Sequence, residues 1–186
     1  KYKDVLTHNE IEWEDEGHTE SEILKADLVV KSPGIPDHVP LVQNILEAAI
    51  SVISEIEFAA IFTTANIIGI TGSNGKTTTT LMVHHIMKQA GLDVAMAGNV
   101  GESFARKLVE RDYDSFVLEI SSFQLDDIQK FRPNIGMLLN ITPEMNASTN
   151  TMFPCHFENQ LTCIKKNWVV VLFWYRKAAG KVMRAN

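Results

Sequence analysis

Ile70–Thr80 reads ITGSNGKTTTT, with two glycines, a lysine and a run of threonines directly after an apolar segment. Residues of these types in this order can bind phosphate. Glycines let backbone N–H groups approach phosphate oxygens closely, and a helix that starts just afterwards aims its positive end at the same anion. Gly72 and Gly75 would supply the turns, with Ser73 and Asn74 between them. Lys76 would place a point charge on the terminal phosphates, and the Thr77 hydroxyl, followed by Thr78, would offer an oxygen to Mg2+. Those are the needs of ATP or GTP binding. The general pattern G-x-x-x-x-G-K-[ST] wants glycine where Ile70 stands, so this is the shorter G-x-x-G-K-T. A glycine-rich strand-to-helix turn with an incidental lysine is the competing reading.

A second segment, FVLEISSFQL (Phe116–Leu125), favours the nucleotide. An acidic residue leaving the carboxyl end of a neighbouring apolar strand can hold Mg2+ directly or through water, and Glu119 fits that role. The alternative is a strand-edge glutamate paired with a lysine. Ser121, Ser122 and Gln124 could contact a polar substrate or could cap the following helix.

These residues need a scaffold. ADLVVKSPGIP (Ala26–Pro36) reads as a short strand ended by a Ser-Pro-Gly turn, and Val39–Ile50 and Ser54–Phe62 carry apolar residues at helical spacing. NIIGIT (Asn66–Thr71) is a continuous apolar strand, and Thr77–Gly91 is helical with a glycine stop. Three further apolar strands, at Asp93–Gly101, Asp114–Ser122 and Asn134–Thr142, are separated by the helical stretches ESFARKLVERD and FQLDDIQKF. Such alternation predicts an α/β fold, a mostly parallel sheet with helices on both faces.

The bulk composition sets limits. An apolar fraction of 45% and a charged fraction of 22% are ordinary for a soluble globular protein. A net charge of −6 gives no electrostatic reason to expect nucleic acid or an anionic membrane. The N-terminal residues resemble neither a signal peptide nor a transit peptide, so a cytoplasmic address is expected. Cys155, His156 and Cys163 match no zinc spacing, and the apolar run Trp168–Tyr175 is far shorter than a membrane span. His84 and His85 occupy adjacent helical positions that do not share a face.

Gly72–Thr78, Ala97–Gly101 (AGNVG) and Leu118–Leu125 (LEISSFQL) together resemble the Mur ligase family, in particular its D-glutamate-adding members. The short G-x-x-G-K-T loop is that family's form, shared with folylpolyglutamate synthases; the SSFQL segment points to the D-glutamate branch. Lys31–Ile35 (KSPGI) is similar to a first-domain segment of the same enzymes. The resemblance implies a UDP-binding domain, a central ATPase domain and a third domain. It also implies the chemistry, in which ATP and Mg2+ activate the carboxylate of UDP-N-acetylmuramoyl-L-alanine for attack by D-glutamate. Lys76 and Glu119 would then be catalytic, Thr77 and Glu119 would hold Mg2+, and Gly72 through Thr78 would hold ATP. Asn99 would contact the UDP-sugar, Ser32, Pro33, Gly34 and Ile35 would lie against its nucleotide end, and Ser121 and Gln124 are further substrate-side candidates. A monomer is expected.

By this resemblance residues 1–60 are the later part of the UDP-binding domain, 61–143 the first part of the ATPase domain, and 144–186 a divergent tail. The family continues with an acid and a metal-linked histidine, where this sequence has Glu144 and Met145. His156 is too distant to substitute, and neither Lys165 nor Lys166 matches the family's carbamylated lysine. A shifted reading frame near Met145 would explain the change of character. The expectation is an incomplete ligase, inactive alone; the alternative is a nucleotide-binding module or another P-loop NTPase without ligase activity.

Overall fold

The computed structural model describes residues 2–141 and 170–172. The chain forms two compact units, Lys1–Ile53 and Ser54–Asn186. The positions Glu144, Met145, Cys155, His156, Cys163, Lys165 and Lys166 lie outside the described residues.

The first unit contains α1 (Tyr2–His8), α2 (Glu20–Ile23), β1 (Leu28–Lys31), α3 (Pro40–Glu47) and all but the last residue of β2 (Ser51–Ser54), which joins β1 in a two-stranded sheet. Proline opens α3 because the first turn has no use for its missing N–H. Val42 and Ile45, three residues apart, form the buried stripe of that helix. Lys31 is buried, and its ammonium donates to the Ile35 carbonyl (3.0 Å) and the Asp37 carboxylate (2.6 Å). That pair of bonds folds the Ser32–Ile35 turn back on the strand.

The second unit contains α4 (Glu55–Ala60), β3 (Asn66–Thr71), α5 (Lys76–Gln89), β4 (Val94–Gly98), α6 (Phe104–Glu110), β5 (Ser115–Glu119), α7 (Ser122–Asp126), β6 (Ile135–Leu138) and β7 (Val170–Leu172). Its five strands lie in the order β4-β5-β3-β6-β7, and every pairing is parallel. Parallel strands need crossovers on the faces, which buries both sides and explains the continuous apolar runs. Alternation along each strand then sorts the side chains. Ile67, Phe116, Leu118 and Ile120 pack with Ile56, Phe104 and Leu125 of α4, α6 and α7. Ile70, Val94 and Val117 pack with Val83 and Met87 of α5. β3 lies between β5 and β6, so the loop that leaves it emerges at the middle of the sheet.

The helical spacing of FQLDDIQKF predicts a longer helix than the structure contains, since α7 stops at Asp126. The reason lies in α4. Glu57 is buried, and its carboxylate accepts from the backbone N–H groups of Gln129 (3.0 Å), Lys130 (2.8 Å) and Phe131 (2.8 Å). Amides that a continued helix would direct at its own carbonyls are thus turned toward one anion. The Ser54 hydroxyl accepts from Glu57 N–H and caps the helix that carries it. Replacing Glu57 with alanine removes the acceptor of three backbone donors, that of Phe131 buried and those of Gln129 and Lys130 partly buried, at about 1 kcal/mol each. Glu57→Ala should therefore lower the unfolding free energy by roughly 3 kcal/mol in urea denaturation, and Glu57→Gln by less. A loss below about 1 kcal/mol for the alanine variant would show that the carboxylate does not organise this crossover.

Candidate functional site

The loop after β3 is held from one side by the end of β6. Gly72 has φ of +141°, and a Cβ there would lie 3.0 Å from the carbonyl oxygen and 3.1 Å from the nitrogen of Asn140. Both facts require glycine. Ser73 N–H donates to the Asn140 carbonyl (3.0 Å), Asn74 N–H donates to Asn140 Oδ1 (2.9 Å), and Asn140 Nδ2 donates to the Asn74 carbonyl (2.8 Å). The asparagine side chain therefore matches both polar groups of one loop residue. Gly75, at φ +84°, turns the chain into α5.

The N–H groups in the first turn of α5 have no carbonyl one turn earlier to accept from them, so they and the helix dipole favour an anion in front of the loop. Thr77 and Thr78 are exposed there. The Lys76 ammonium lies over the loop and donates to the carbonyls of Gly72 (2.6 Å) and Ser73 (3.2 Å). Its charge is thus held against the loop's own carbonyls.

Glu119 ends the neighbouring strand. The parallel register sets it beside Ile70 of β3 and Gly98 of β4. Since Leu118 and Ile120 pack with the α6 side of the sheet and Val117 with the α5 side, alternation directs Glu119 toward the face that carries α5. Glu119 is only 2% exposed. Its Oε1 accepts from Asn99 Nδ2 (2.8 Å), while Oε2 has no partner among the described residues. The lysine-paired alternative therefore has no support among those residues. Burying a carboxylate oxygen unpaired is costly, and such an oxygen suits a cation. A carboxylate oxygen, like the Thr77 hydroxyl, is the hard oxygen donor type that Mg2+ prefers.

The remaining sequence-derived residues separate into groups. Asn99 follows β4 and bonds Glu119. Ser121 and Gln124 form a reciprocal capping box at the start of α7, where Gln124 N–H donates to Ser121 Oγ (3.3 Å) and Ser121 N–H donates to Gln124 Oε1 (2.9 Å). Ser32, Pro33, Gly34 and Ile35 form an exposed turn after β1 in the first unit. Among the described residues there is no cluster of three or more His, Cys, Asp or Glu that could hold a metal. Sequence reasoning missed Asn140. Its only signal was a polar residue ending an apolar strand.

Residues 70–145 match the Mur ligase middle domain. The match begins at the last residues of β3 and takes in the loop, Asn99, Glu119 and Asn140. Proteins named UDP-N-acetylmuramoylalanine--D-glutamate ligase align over 144 residues, at 58% identity in Christiangramia forsetii and 54% in Bacteroides fragilis. The chain belongs to the Mur ligase family. Each alignment covers 77% of this chain and 32% of the relative, so the chain spans about a third of the length of these Mur ligases. A solved UDP-N-acetylmuramate:L-alanyl-gamma-D-glutamyl-meso-diaminopimelate ligase from Neisseria meningitides shares the α/β fold at 19% identity, with a TM-score of 0.51 over 90% of this chain and 58% of that one.

Within this Mur ligase loop, the Asn140 side chain should set local order. Asn140→Leu removes the acceptor of the Asn74 N–H, a bond of about 1 kcal/mol. Amide hydrogen exchange at Asn74 should accelerate by roughly five- to tenfold, while exchange in the core of β5 stays unchanged. An unaltered rate at Asn74 would show that the loop keeps its shape without this side chain.

Proposed function

We propose that this chain carries the nucleotide-binding core of an ATP-dependent ligase that joins D-glutamate to UDP-N-acetylmuramoyl-L-alanine in peptidoglycan synthesis. The observation that carries the reading is the buried Oε2 of Glu119, on the strand beside the loop, which has no partner among the described residues. A structural glutamate would have both oxygens satisfied; a Mg2+ ligand must keep one available. The D-glutamate ligases that match over 144 residues supply the acceptor and the amine.

The reaction has two steps. A carboxylate oxygen of the nucleotide-linked alanine attacks the γ-phosphorus of ATP, and the bond to ADP breaks. The amine of D-glutamate then attacks the acyl phosphate carbon, expels phosphate and loses a proton to give the amide. The first-turn N–H groups of α5 bind ATP phosphates, with Gly72, Ser73, Asn74, Gly75, Thr77 and Thr78 lining them. Lys76 exchanges its two carbonyl partners for the transferred phosphoryl oxygens, holding charge that spreads during transfer. Thr77 and Glu119 would hold Mg2+, which would supply positive charge against the charge developing on the phosphates. Positioning and electrostatics supply most of such catalysis.

On the acceptor side, Asn99 contacts the UDP-sugar, with Ser121 and Gln124 contributing from their capped turn. Ser32, Pro33, Gly34 and Ile35 serve the uridine end. In this reading residues 1–60 belong to the UDP-binding domain, 61–143 to the ATPase domain and 144–186 to a divergent tail. The protein works as a cytoplasmic monomer without nucleic acid or membrane partners; no helix among the described residues is long and apolar enough to cross a membrane.

Calorimetry with ATP and Mg2+ tests the loop. Removing a charge-assisted contact worth about 3 kcal/mol should weaken binding by Lys76→Ala about 100-fold or more, with unfolding midpoint unchanged. Equal affinity in the variant would remove the loop from the mechanism. Phosphate release that depends on both UDP-N-acetylmuramoyl-L-alanine and D-glutamate would show the ligase reaction directly; an incomplete ligase that is inactive alone should bind the nucleotide without it.

A further inference from the structure

Asn99 does something besides facing the acceptor. β4 ends at Gly98, where φ is +104° and a Cβ would lie 2.3 Å from the Glu119 carbonyl oxygen. Only glycine permits that approach. The chain then attaches to Glu119 twice, through Asn99 N–H to the Glu119 carbonyl (2.8 Å) and Asn99 Nδ2 to Oε1 (2.8 Å). Gly98 N–H donates to the Glu102 carbonyl (3.0 Å), so the turn is fixed on both sides.

This two-point attachment determines how the carboxylate presents itself. With Oε1 occupied and the backbone held, rotation of the carboxylate is restricted, and Oε2 is left without a partner among the described residues. The chemical type of the donor also matters. A lysine in this position would hold the carboxylate equally well but would cancel its charge, whereas a neutral amide fixes it and leaves the full negative charge for a cation. We propose that Asn99 is a positioning residue for the Glu119 carboxylate, presenting Oε2 to the Mg2+ that accompanies a bound nucleotide. The inference rests on the metal role of Glu119 given above. It leaves Asn99 Oδ1, which has no partner among the described residues, for the acceptor.

The test separates metal-dependent from metal-independent binding. ADP affinity is measured by calorimetry with excess Mg2+ and again with EDTA, for the unaltered protein and for Asn99→Ala. Mg2+ should strengthen ADP binding by the unaltered protein. Asn99→Ala should lose about tenfold of that enhancement while its affinity in EDTA is unchanged, a split that general loosening of the fold would not produce. An unaltered protein indifferent to Mg2+ overturns the metal reading itself. A normal Mg2+ response in a folded Asn99→Ala variant overturns only the role of Asn99. If that variant does not fold, the Asn99 side-chain amide signal of the unaltered protein decides by NMR. It should shift when Mg2+ is added to the ADP complex, and a signal that does not move overturns the proposal.

Discussion

Two parallel neighbours hold β3 along its length, with Ile70 set beside Glu119 of β5 and Thr71 beside Leu138 of β6. Everything proposed for the site follows from that double pairing. The β6 side brings Asn140 against the loop, close enough to exclude a side chain at position 72. The β5 side brings Glu119 to the same end of the sheet, on the face where α5 begins. A loop attached to an edge strand would have one of these supports and not the other. Ligands of open α/β sheets bind in the crevice outside the carboxyl ends of the strands.

Two buried glutamates in this unit show how environment divides one residue type between structure and chemistry. Glu57 accepts three backbone amides, using both oxygens. Such a carboxylate has little left to offer a ligand, and it fixes the path from α7 to β6. Glu119 is buried just as deeply, yet among the described residues it has one neutral donor and one oxygen unpaired. The first arrangement stabilises the fold; the second costs stability that a bound cation would restore. That contrast distinguishes the site without reference to any relative.

The strands of the second unit were legible in the sequence because both faces of a parallel sheet are covered, so each reads as an unbroken apolar run. The loop was legible because phosphate binding demands glycines and a lysine at fixed spacing. Glu119 stood out as an acid in an apolar strand. Other features were hidden for physical reasons. β2 is four residues long, too short to display a period beside the helical stretches around it. The end of α7 depends on a carboxylate 74 residues earlier in the chain, and the loop clamp on an asparagine 66 residues later. Asn99 was read toward a substrate, while its bond to Glu119 required knowing that β4 and β5 are neighbours.

The central claim is that the loop and Glu119 Oε2 form one Mg–nucleotide site. A crystal structure of the protein with ADP and Mn2+ in place of Mg2+ tests it most directly, because anomalous scattering locates the metal independently of the phosphates. The account predicts phosphates at the first turn of α5, and a Mn2+ peak bridging them to the Thr77 hydroxyl and Glu119 Oε2, directly or through one water. ADP seated in the loop with the metal elsewhere, and Glu119 Oε2 still unpaired, would contradict it.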